Sequence, residues 1–99
     1  MKKGYVYIMT NKHNSVLYTG VTSNILKRVY QHKTKHFPGS FSSRYNCYKL
    51  VFYTDFGNIT EAIEFEKKLK AGNRKRKVNM IESQNVEWKD LAKDWLFQF

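Results

Sequence analysis

Glu66 is the residue whose position in the sequence most clearly indicates chemistry. Ala62 lies four residues before it and Leu69 three residues after it, so on a helix the carboxylate shares their apolar face. A carboxylate that leaves water needs a cationic partner, which is either a basic side chain or a metal ion. The sequence leaves both interpretations of Glu66 open.

Arg28 and His32 are the next candidates, because they lie four residues apart and share one face of a helix. A guanidinium group binds phosphate with two parallel hydrogen bonds, and histidine transfers protons near neutral pH. The same pair is also common on ordinary protein surfaces. His32 and His36 show HxxxH spacing, but no third ligand is evident, so we do not expect a zinc site.

Tyr7 and Tyr18 lie in two apolar runs separated by a polar turn. Strand alternation allows both hydroxyls to point to the same side of a hairpin, where Gly20 would leave room for a ligand or a backbone. Buried tyrosines usually only satisfy a hydrogen bond, so this signal is weak by itself.

The distribution of carboxylates limits any metal chemistry. The first acidic residue is Asp55, whereas a two-metal site generally needs several clustered acids. A metal site here would therefore hold one ion through a single carboxylate, with phosphate and water as the other ligands, as Mg²⁺ accepts.

The elements that must position these residues follow from hydrophobic periodicity and turn residues. The predicted order is β-β-α-β-α-α, an α/β (α+β) fold in which helices flank a three-stranded antiparallel or mixed sheet, as one domain over residues 1–99. The expected elements are strands at 5–9 and 16–21, a helix capped by Thr22 or Ser23 and ended by Pro38-Gly39, a strand at 48–53, a helix from Thr60 to about Ala71-Gly72, and a helical piece through the basic run to Ile81.

The C-terminal segment repeats apolar residues at helical spacing. This pattern predicts an amphipathic helix that closes over the core with structural tryptophans, and it makes Asn85 a candidate N-cap for a helix starting at Val86. The repeating residues are Trp88, Leu91, Ala92, Trp95, Leu96 and Phe99.

The charge distribution predicts a polyanionic partner. The chain has 18 Lys and Arg against 8 Asp and Glu, a net charge of +10, and 16% of its residues are aromatic. This balance favours nucleic acid over a solubilising surface or a membrane-facing patch. The candidate phosphate contacts are Lys27, Arg44, Arg74, Lys75, Arg76 and Lys77.

Other sequence features narrow the class of protein. No stretch approaches the roughly 20 apolar residues of a membrane span, and the N-terminus lacks the pattern of a signal peptide. Cys47 is the only cysteine, which excludes a disulfide framework and a cysteine-based zinc cluster. We expect a cytoplasmic protein with no membrane partner.

Together these residues resemble the GIY-YIG endonucleases, in particular their short stand-alone bacterial members. The two named motifs correspond to Tyr5-Val6-Tyr7 and Tyr18-Thr19-Gly20, and the later positions to Arg28, His32, Glu66 and Asn85. Three residues depart from the family pattern. Tyr5 replaces a glycine, Thr19 replaces an isoleucine, and Val86 replaces a proline that usually follows Asn85.

The resemblance implies a DNA endonuclease in which Glu66 holds one Mg²⁺ or Mn²⁺ ion and Arg28 stabilises developing negative charge. It makes Tyr18 the favoured general base with Tyr7 as its orienting partner, although His32 is either the helper or the base. Asn85 is a further candidate site residue. The alternatives are a non-catalytic nucleic-acid-binding module with the same fold, and a nuclease that a partner protein directs to its target.

Overall fold

The computed structural model describes residues 2–98, which form three strands and four helices. The elements are β1 (Gly4–Thr10), β2 (Leu17–Thr22), α1 (Ile25–Lys33), α2 (Phe41–Arg44), β3 (Lys49–Phe56), α3 (Ile59–Ala71) and α4 (Arg74–Gln84). The sheet is antiparallel with the order β2-β1-β3. The predicted α+β class and element order are confirmed, with α2 as a short addition inside the predicted loop.

The strand register brings the two tyrosines to one side of the sheet. Tyr7 in β1 pairs with Gly20 in β2, and Met9 pairs with Tyr18. Because side chains alternate between faces along a strand, Tyr7, Met9, Tyr18 and Gly20 all belong to the same face. The expected common face of Tyr7 and Tyr18 is therefore confirmed.

The sheet separates two apolar clusters. We call the side that carries Tyr7 the tyrosine face and the side covered by α3 and α4 the dry face. The buried cluster of the tyrosine face consists of Tyr7, Met9, Ile25, Val29, Cys47, Leu50 and Ala92. That of the dry face consists of Val6, Ile8, Val51, Phe52, Ala62, Leu69 and Ile81.

Asparagine and serine side chains cap the N-termini of the helices. Asn24 caps α1 by accepting the Lys27 N–H at 3.1 Å, so the predicted cap at Thr22 or Ser23 is wrong by one or two residues. Thr22 remains in β2, and its hydroxyl accepts the Asn24 N–H instead. The same helix ends at Lys33, earlier than Pro38-Gly39, because Thr34 is its C-cap and Lys35 lies in the left-handed region at φ 52°. Ser40 then caps the separate helix α2.

The predicted C-terminal helix is wrong, since no helix forms between residues 86 and 98. Trp88 has φ 56°, in the left-handed region, which interrupts a right-handed helix. The chain is held instead by Asp90, whose carboxylate accepts the Leu50 N–H at 3.1 Å and pairs with Lys33 at 2.5 Å. The Leu91 N–H also donates to the Leu50 carbonyl at 2.7 Å. This segment is therefore tied to β3 by tertiary contacts that local periodicity does not encode.

The C-terminal segment still covers the core. Trp95 lies edge-on to Tyr53 with ring centroids 5.5 Å apart, and Ala92 is fully packed in the tyrosine face. Leu96 does not follow the expected pattern because 78% of its surface is exposed. Phe99 falls outside the described residues. No helix within residues 2–98 combines the length and apolar character needed to cross a bilayer.

Candidate functional site

A chain of polar side chains begins at Tyr7, in the middle of the central strand. The Tyr7 hydroxyl lies 2.8 Å from His32 Nε2, and His32 Nδ1 lies 2.8 Å from the Ser42 hydroxyl. These three residues come from β1, α1 and α2, so the chain of hydrogen bonds joins three separate elements. It fixes the orientation of the imidazole ring from both of its nitrogens.

His32 is neutral at physiological pH. Burial lowers the pKa of His32 to about 4, and the positive charge of Arg28 acts in the same direction. A neutral imidazole has one N–H, so it donates to one of its two hydroxyl partners and accepts from the other. The ring therefore couples the two hydroxyl groups, because the direction of its hydrogen bond with Tyr7 sets the direction of its hydrogen bond with Ser42.

Three of the predicted site residues act electrostatically on the Tyr7 hydroxyl. Burial raises the pKa of Tyr7 well above its usual range, and the neighbouring Tyr18 and the Glu66 carboxylate act in the same direction. The Arg28 guanidinium opposes them. Tyr18, Arg28 and Glu66 therefore all lie within electrostatic range of one hydroxyl group, and that hydroxyl keeps its proton at neutral pH.

Gly20 is required for this arrangement because the Tyr7 ring lies directly over it. A Cβ atom at position 20 would lie 2.5 Å from Tyr7 Cζ, far inside van der Waals contact. The sequence indicated that this glycine leaves room for a close approach. The structure identifies the approaching group as the Tyr7 ring.

A small cavity opens beside this chain. Its lining includes Tyr18, Arg28, His32, Lys35 and Ser42, and its volume is about 80 Å³. A space of that size holds a few water molecules or the oxygens of a phosphate group, but not a nucleobase. Two basic residues and four hydroxyl groups line one opening, a combination that suits an anionic group.

Glu66 is the buried carboxylate of α3, as its apolar neighbours predicted. Only 7% of the residue is exposed, and Ala62 and Leu69 are buried on the same side of the helix. Its Oε2 lies 2.9 Å from the Nζ of Lys70, whose side chain is 54% exposed. The helix packs against the dry face, yet the charge of Glu66 still acts on the Tyr7 hydroxyl.

The donor atoms limit what kind of metal could bind. Within residues 2–98, no group of three or more His, Cys, Asp and Glu side chains is placed to hold a metal ion. One carboxylate with an exposed lysine as its partner fits an ion such as Mg²⁺, which takes its other ligands from substrate phosphate and water.

Asn85 lies away from the Tyr7 hydroxyl group, at the C-terminal end of α4. Its amide nitrogen donates to the carbonyls of Val51 and Lys89 at 3.1 and 2.7 Å, and its oxygen accepts the Lys89 N–H at 3.0 Å. It is the C-cap of α4, so the interpretation as an N-cap for a following helix is wrong. The nitrogen and the oxygen of the Asn85 amide group therefore both hold the C-terminal segment in place.

The predicted phosphate-binding residues fall into two groups. Lys27 lines a shallow surface pocket together with Arg28, and Arg44 is exposed on α2, near the cavity-lining Ser42 and Ser43. The basic run 74–77 forms the first turn of α4 and does not line the cavity. Within it, Arg74 donates to the carbonyls of Asn14 and Ser15 in the hairpin loop, at 2.8 and 3.2 Å.

Sequence reasoning missed Ser42. Residues 37–46 are rich in small hydroxyl side chains, and that composition was the only available signal. The structure buries Ser42 to 4% exposure in α2 and bonds it to His32, which lies ten residues earlier. A contact between two separate helices leaves no periodic pattern in the sequence from which it could be predicted.

Comparison with known proteins adds independent information. Residues 3–93 match the family model described as the GIY-YIG catalytic domain. A UPF0213 protein of Staphylococcus haemolyticus is 35% identical over 82 residues, which cover 83% of this chain and 98% of that protein. A UPF0213 protein of Clostridium perfringens is 32% identical over 90 residues, 91% of this chain and 95% of the relative.

A solved structure shows the same fold. The solution NMR structure of a UPF0213 protein from Bacillus halodurans superposes with a TM-score of 0.56 at 22% identity. The superposition covers 93% of this chain and 97% of that one. At this level of identity, the likeness concerns the arrangement of strands and helices.

Proposed function

The chain belongs to the GIY-YIG family, a family of nucleases, and from that premise we propose that it is an endonuclease that hydrolyses phosphodiester bonds in DNA with the help of Mg²⁺ or Mn²⁺. The observation that carries this proposal is the hydrogen-bonded chain from Tyr7 through His32 to Ser42 beside a cavity that Tyr18 and Arg28 line. Three side chains, up to 59 residues from Tyr7 in sequence, also act electrostatically on its hydroxyl, and they are Tyr18, Arg28 and Glu66.

Each side chain has a role that follows from its chemistry. Arg28 binds the scissile phosphate and stabilises the negative charge that grows on it, which is usually the largest electrostatic contribution in such reactions. Glu66 is the residue that would hold the metal ion. When bound, the ion would withdraw charge from the phosphate and favour ionisation of the attacking water.

Tyr18 is the general base that this geometry favours. His32 uses both of its nitrogens in hydrogen bonds, and its pKa of about 4 makes it a weak proton acceptor at neutral pH. Tyr7 keeps its own proton and is buried, whereas Tyr18 is only partly buried and lines the cavity. Tyr18 therefore takes the proton of the attacking water, while Tyr7 and His32 orient its surroundings.

The basic residues supply the affinity for DNA. Lys27 and Arg44 flank the cavity side of the molecule, and the run Arg74, Lys75, Arg76 and Lys77 offers a second set of positive charges. Such contacts bind phosphates and position the substrate without specifying its sequence. Asn85 as a site residue, a partner protein that supplies targeting, a cytoplasmic location and a single domain over residues 1–99 stay predictions.

One observation favours the alternative of a non-catalytic binding module. The Lys70 ammonium already neutralises Glu66 at 2.9 Å, so the carboxylate has a partner without any metal. The Lys70 side chain is 54% exposed and reaches Glu66 from one turn away, so its ammonium group can move into solvent when another cation takes its place. We therefore infer that a phosphate-bound ion would displace the lysine.

The experiment is a cleavage assay on plain, flapped and branched DNA duplexes, with Mg²⁺, with Mn²⁺ and with EDTA. We expect cleavage of at least one substrate with either ion and none with EDTA. Binding to the same substrates is measured in parallel by fluorescence anisotropy. Binding without cleavage under every condition would support the non-catalytic alternative and contradict the proposal.

A further inference from the structure

The exposed aromatic side chains are concentrated in the segment that also supplies most of the residues lining the cavity. Among residues 2–98, every aromatic residue of the exposed class lies between positions 30 and 48. The same segment contains no acidic residue, because the first carboxylate of the chain is Asp55. Exposed rings on a segment that has basic residues and no carboxylate are unusual, since an ordinary solvated surface carries charged residues of both signs.

Two of these rings, Phe41 and Tyr45, continue an arrangement that starts with Tyr18 inside the site. Phe41 stacks on Tyr18 with centroids 6.3 Å apart and planes at 28°, and Tyr45 contacts Phe41 at 4.7 Å. We call Tyr18, Phe41 and Tyr45 the aromatic row. Phe41 is 49% exposed and Tyr45 is 45% exposed, so the row continues from the cavity onto the open surface.

The helix α2 produces this row. Phe41 and Tyr45 are four residues apart, at the start of the helix and at its C-cap, so they lie on the same side. The other side of the helix buries Ser42 and Ser43, and Ser42 is bonded to His32. The interactions that hold the imidazole in place therefore also hold the two rings outward.

We propose that the aromatic row stacks the unpaired bases of a single-stranded nucleic-acid segment that adjoins the scissile phosphate. Aromatic faces stack with any base but require bases that are not already stacked in a duplex. The cavity has a volume of about 80 Å³, which suits a phosphate group, so a base next to a phosphate bound there would lie outside it, on the side where Phe41 stacks on Tyr18. Arg28 and Lys35 in the lining supply the complementary charge for the backbone.

This inference rests on the proposed nuclease function and specifies its substrate as single-stranded or partly unpaired nucleic acid at the cleavage point. On this proposal, the preference for single-stranded over duplex nucleic acid depends on the two exposed rings of Phe41 and Tyr45. Since neither Phe41 nor Tyr45 is a catalytic residue, their contribution is measurable by binding alone.

The test compares the affinities of the wild type and of Phe41→Leu for a labelled single-stranded oligonucleotide and for a hairpin duplex of equal charge, in EDTA. Removing one stacking ring should weaken single-strand binding by about tenfold. Binding of the duplex should change by less than about twofold, because phosphate contacts remain. Ile63→Ala, which removes an exposed apolar side chain on α3, should change neither affinity.

Phe41→Trp separates stacking from general surface effects. It should keep the single-strand affinity within about twofold of the wild type, and its indole fluorescence should be quenched when bases stack on it. The proposal is overturned if Phe41→Leu weakens single-strand and duplex binding equally, or weakens neither. Those outcomes leave the nuclease function standing, whereas a wild type that binds no nucleic acid would remove both.

Discussion

The two faces of the sheet use the same strand for different purposes. On the dry face, Val6 and Ile8 are fully buried among aliphatic and aromatic side chains. On the tyrosine face, Tyr7 is equally buried but carries a hydroxyl bonded to His32. Side chains of neighbouring residues in one strand thus enter an apolar core on one side and a hydrogen-bonded network on the other.

The difference shows where stability and chemistry are located in a small protein. Apolar packing stabilises the fold without directional requirements, whereas the polar network requires each hydroxyl and nitrogen to have a partner at the correct distance. Glu66 is the exception on the side of α3, because it is a carboxylate among Ala62 and Leu69. Substitutions on the two faces should therefore separate loss of stability from loss of activity.

The largest expected effect on stability is that of Ile8→Ala, and Tyr7→Phe is the variant to compare it with. Ile8 is fully buried, so its truncation should cost about 2 to 5 kcal/mol of the free energy of unfolding. Tyr7→Phe keeps the ring and should cost about 1 kcal/mol, but it removes the bond to His32 and should lower the cleavage rate about tenfold. Thermal unfolding and cleavage rates measure both variants, and equal loss of stability in the two would contradict the separation.

Two glycines give a second comparison, one on each face. At Gly4 a Cβ atom would lie 2.6 Å from Ala62 Cβ and 2.9 Å from Ile59 Cα, so Gly4→Ala must move the backbone of α3, at about 1 to 3 kcal/mol. At Gly20 the obstacle is the end of the Tyr7 side chain.

Gly20→Ala should therefore tilt the Tyr7 ring away from His32, with a smaller loss of melting temperature than Gly4→Ala and a larger loss of cleavage per folded molecule. Circular dichroism melts and cleavage rates test the pair. Full cleavage by Gly20→Ala would show that the position of the Tyr7 hydroxyl does not matter for the reaction.

A smaller effect should appear in the pH dependence of stability. The pKa of His32 is about 4 in the folded protein and 6.5 as its ordinary value. Between these values the unfolded chain binds a proton that the folded protein excludes, so stability falls as the pH falls from about 6.5 to 4. Above that window this contribution is fully present.

The measurement is the melting temperature at several pH values for the wild type, His32→Gln and His36→Gln. His32→Gln should lose less stability on acidification than the wild type. His36 is exposed, so His36→Gln should follow the wild type. Identical acid sensitivity of the wild type and His32→Gln would mean that His32 is not held neutral by its surroundings.

The smallest expected effect on cleavage concerns Lys70. Because the Glu66 side chain is only 10% exposed, Lys70→Met leaves its carboxylate without an ammonium partner, so the melting temperature in EDTA should fall. The variant should need severalfold less Mg²⁺ for half-maximal cleavage, since no ammonium competes for Glu66. Lys68→Met, on the exposed side of the same helix, is the control. A higher Mg²⁺ requirement for Lys70→Met would contradict the assignment of Glu66 as a ligand.

Local patterns predicted those parts of the molecule that depend on alternation and periodicity. The hairpin, the common face of Tyr7 and Tyr18, and the burial of Glu66 beside Ala62 and Leu69 all follow from such patterns. In each case, one face of an element is apolar, and burial of that face fixes where the exceptional residue lies.

The remaining features depend on contacts between residues distant in sequence. The apolar spacing from Trp88 onward suits a helix. However, Asp90 accepts the Leu50 N–H and Asn85 accepts the Lys89 N–H, and these bonds hold the segment in a non-helical conformation. Ser42 reaches His32 from a separate short helix. Such contacts override local propensity and leave no periodic trace in the sequence.

The most direct test of the central claim is the single-turnover cleavage rate of Glu66→Gln measured beside that of Glu64→Gln. Both changes remove one negative charge from α3, but Glu66 is buried and Glu64 is exposed. We predict that Glu66→Gln lowers the rate by about a thousandfold, binds DNA in EDTA as the wild type does, and remains folded. Glu64→Gln should cut at the wild-type rate. Equal cleavage by Glu66→Gln and the wild type would show that the buried carboxylate takes no part in the reaction.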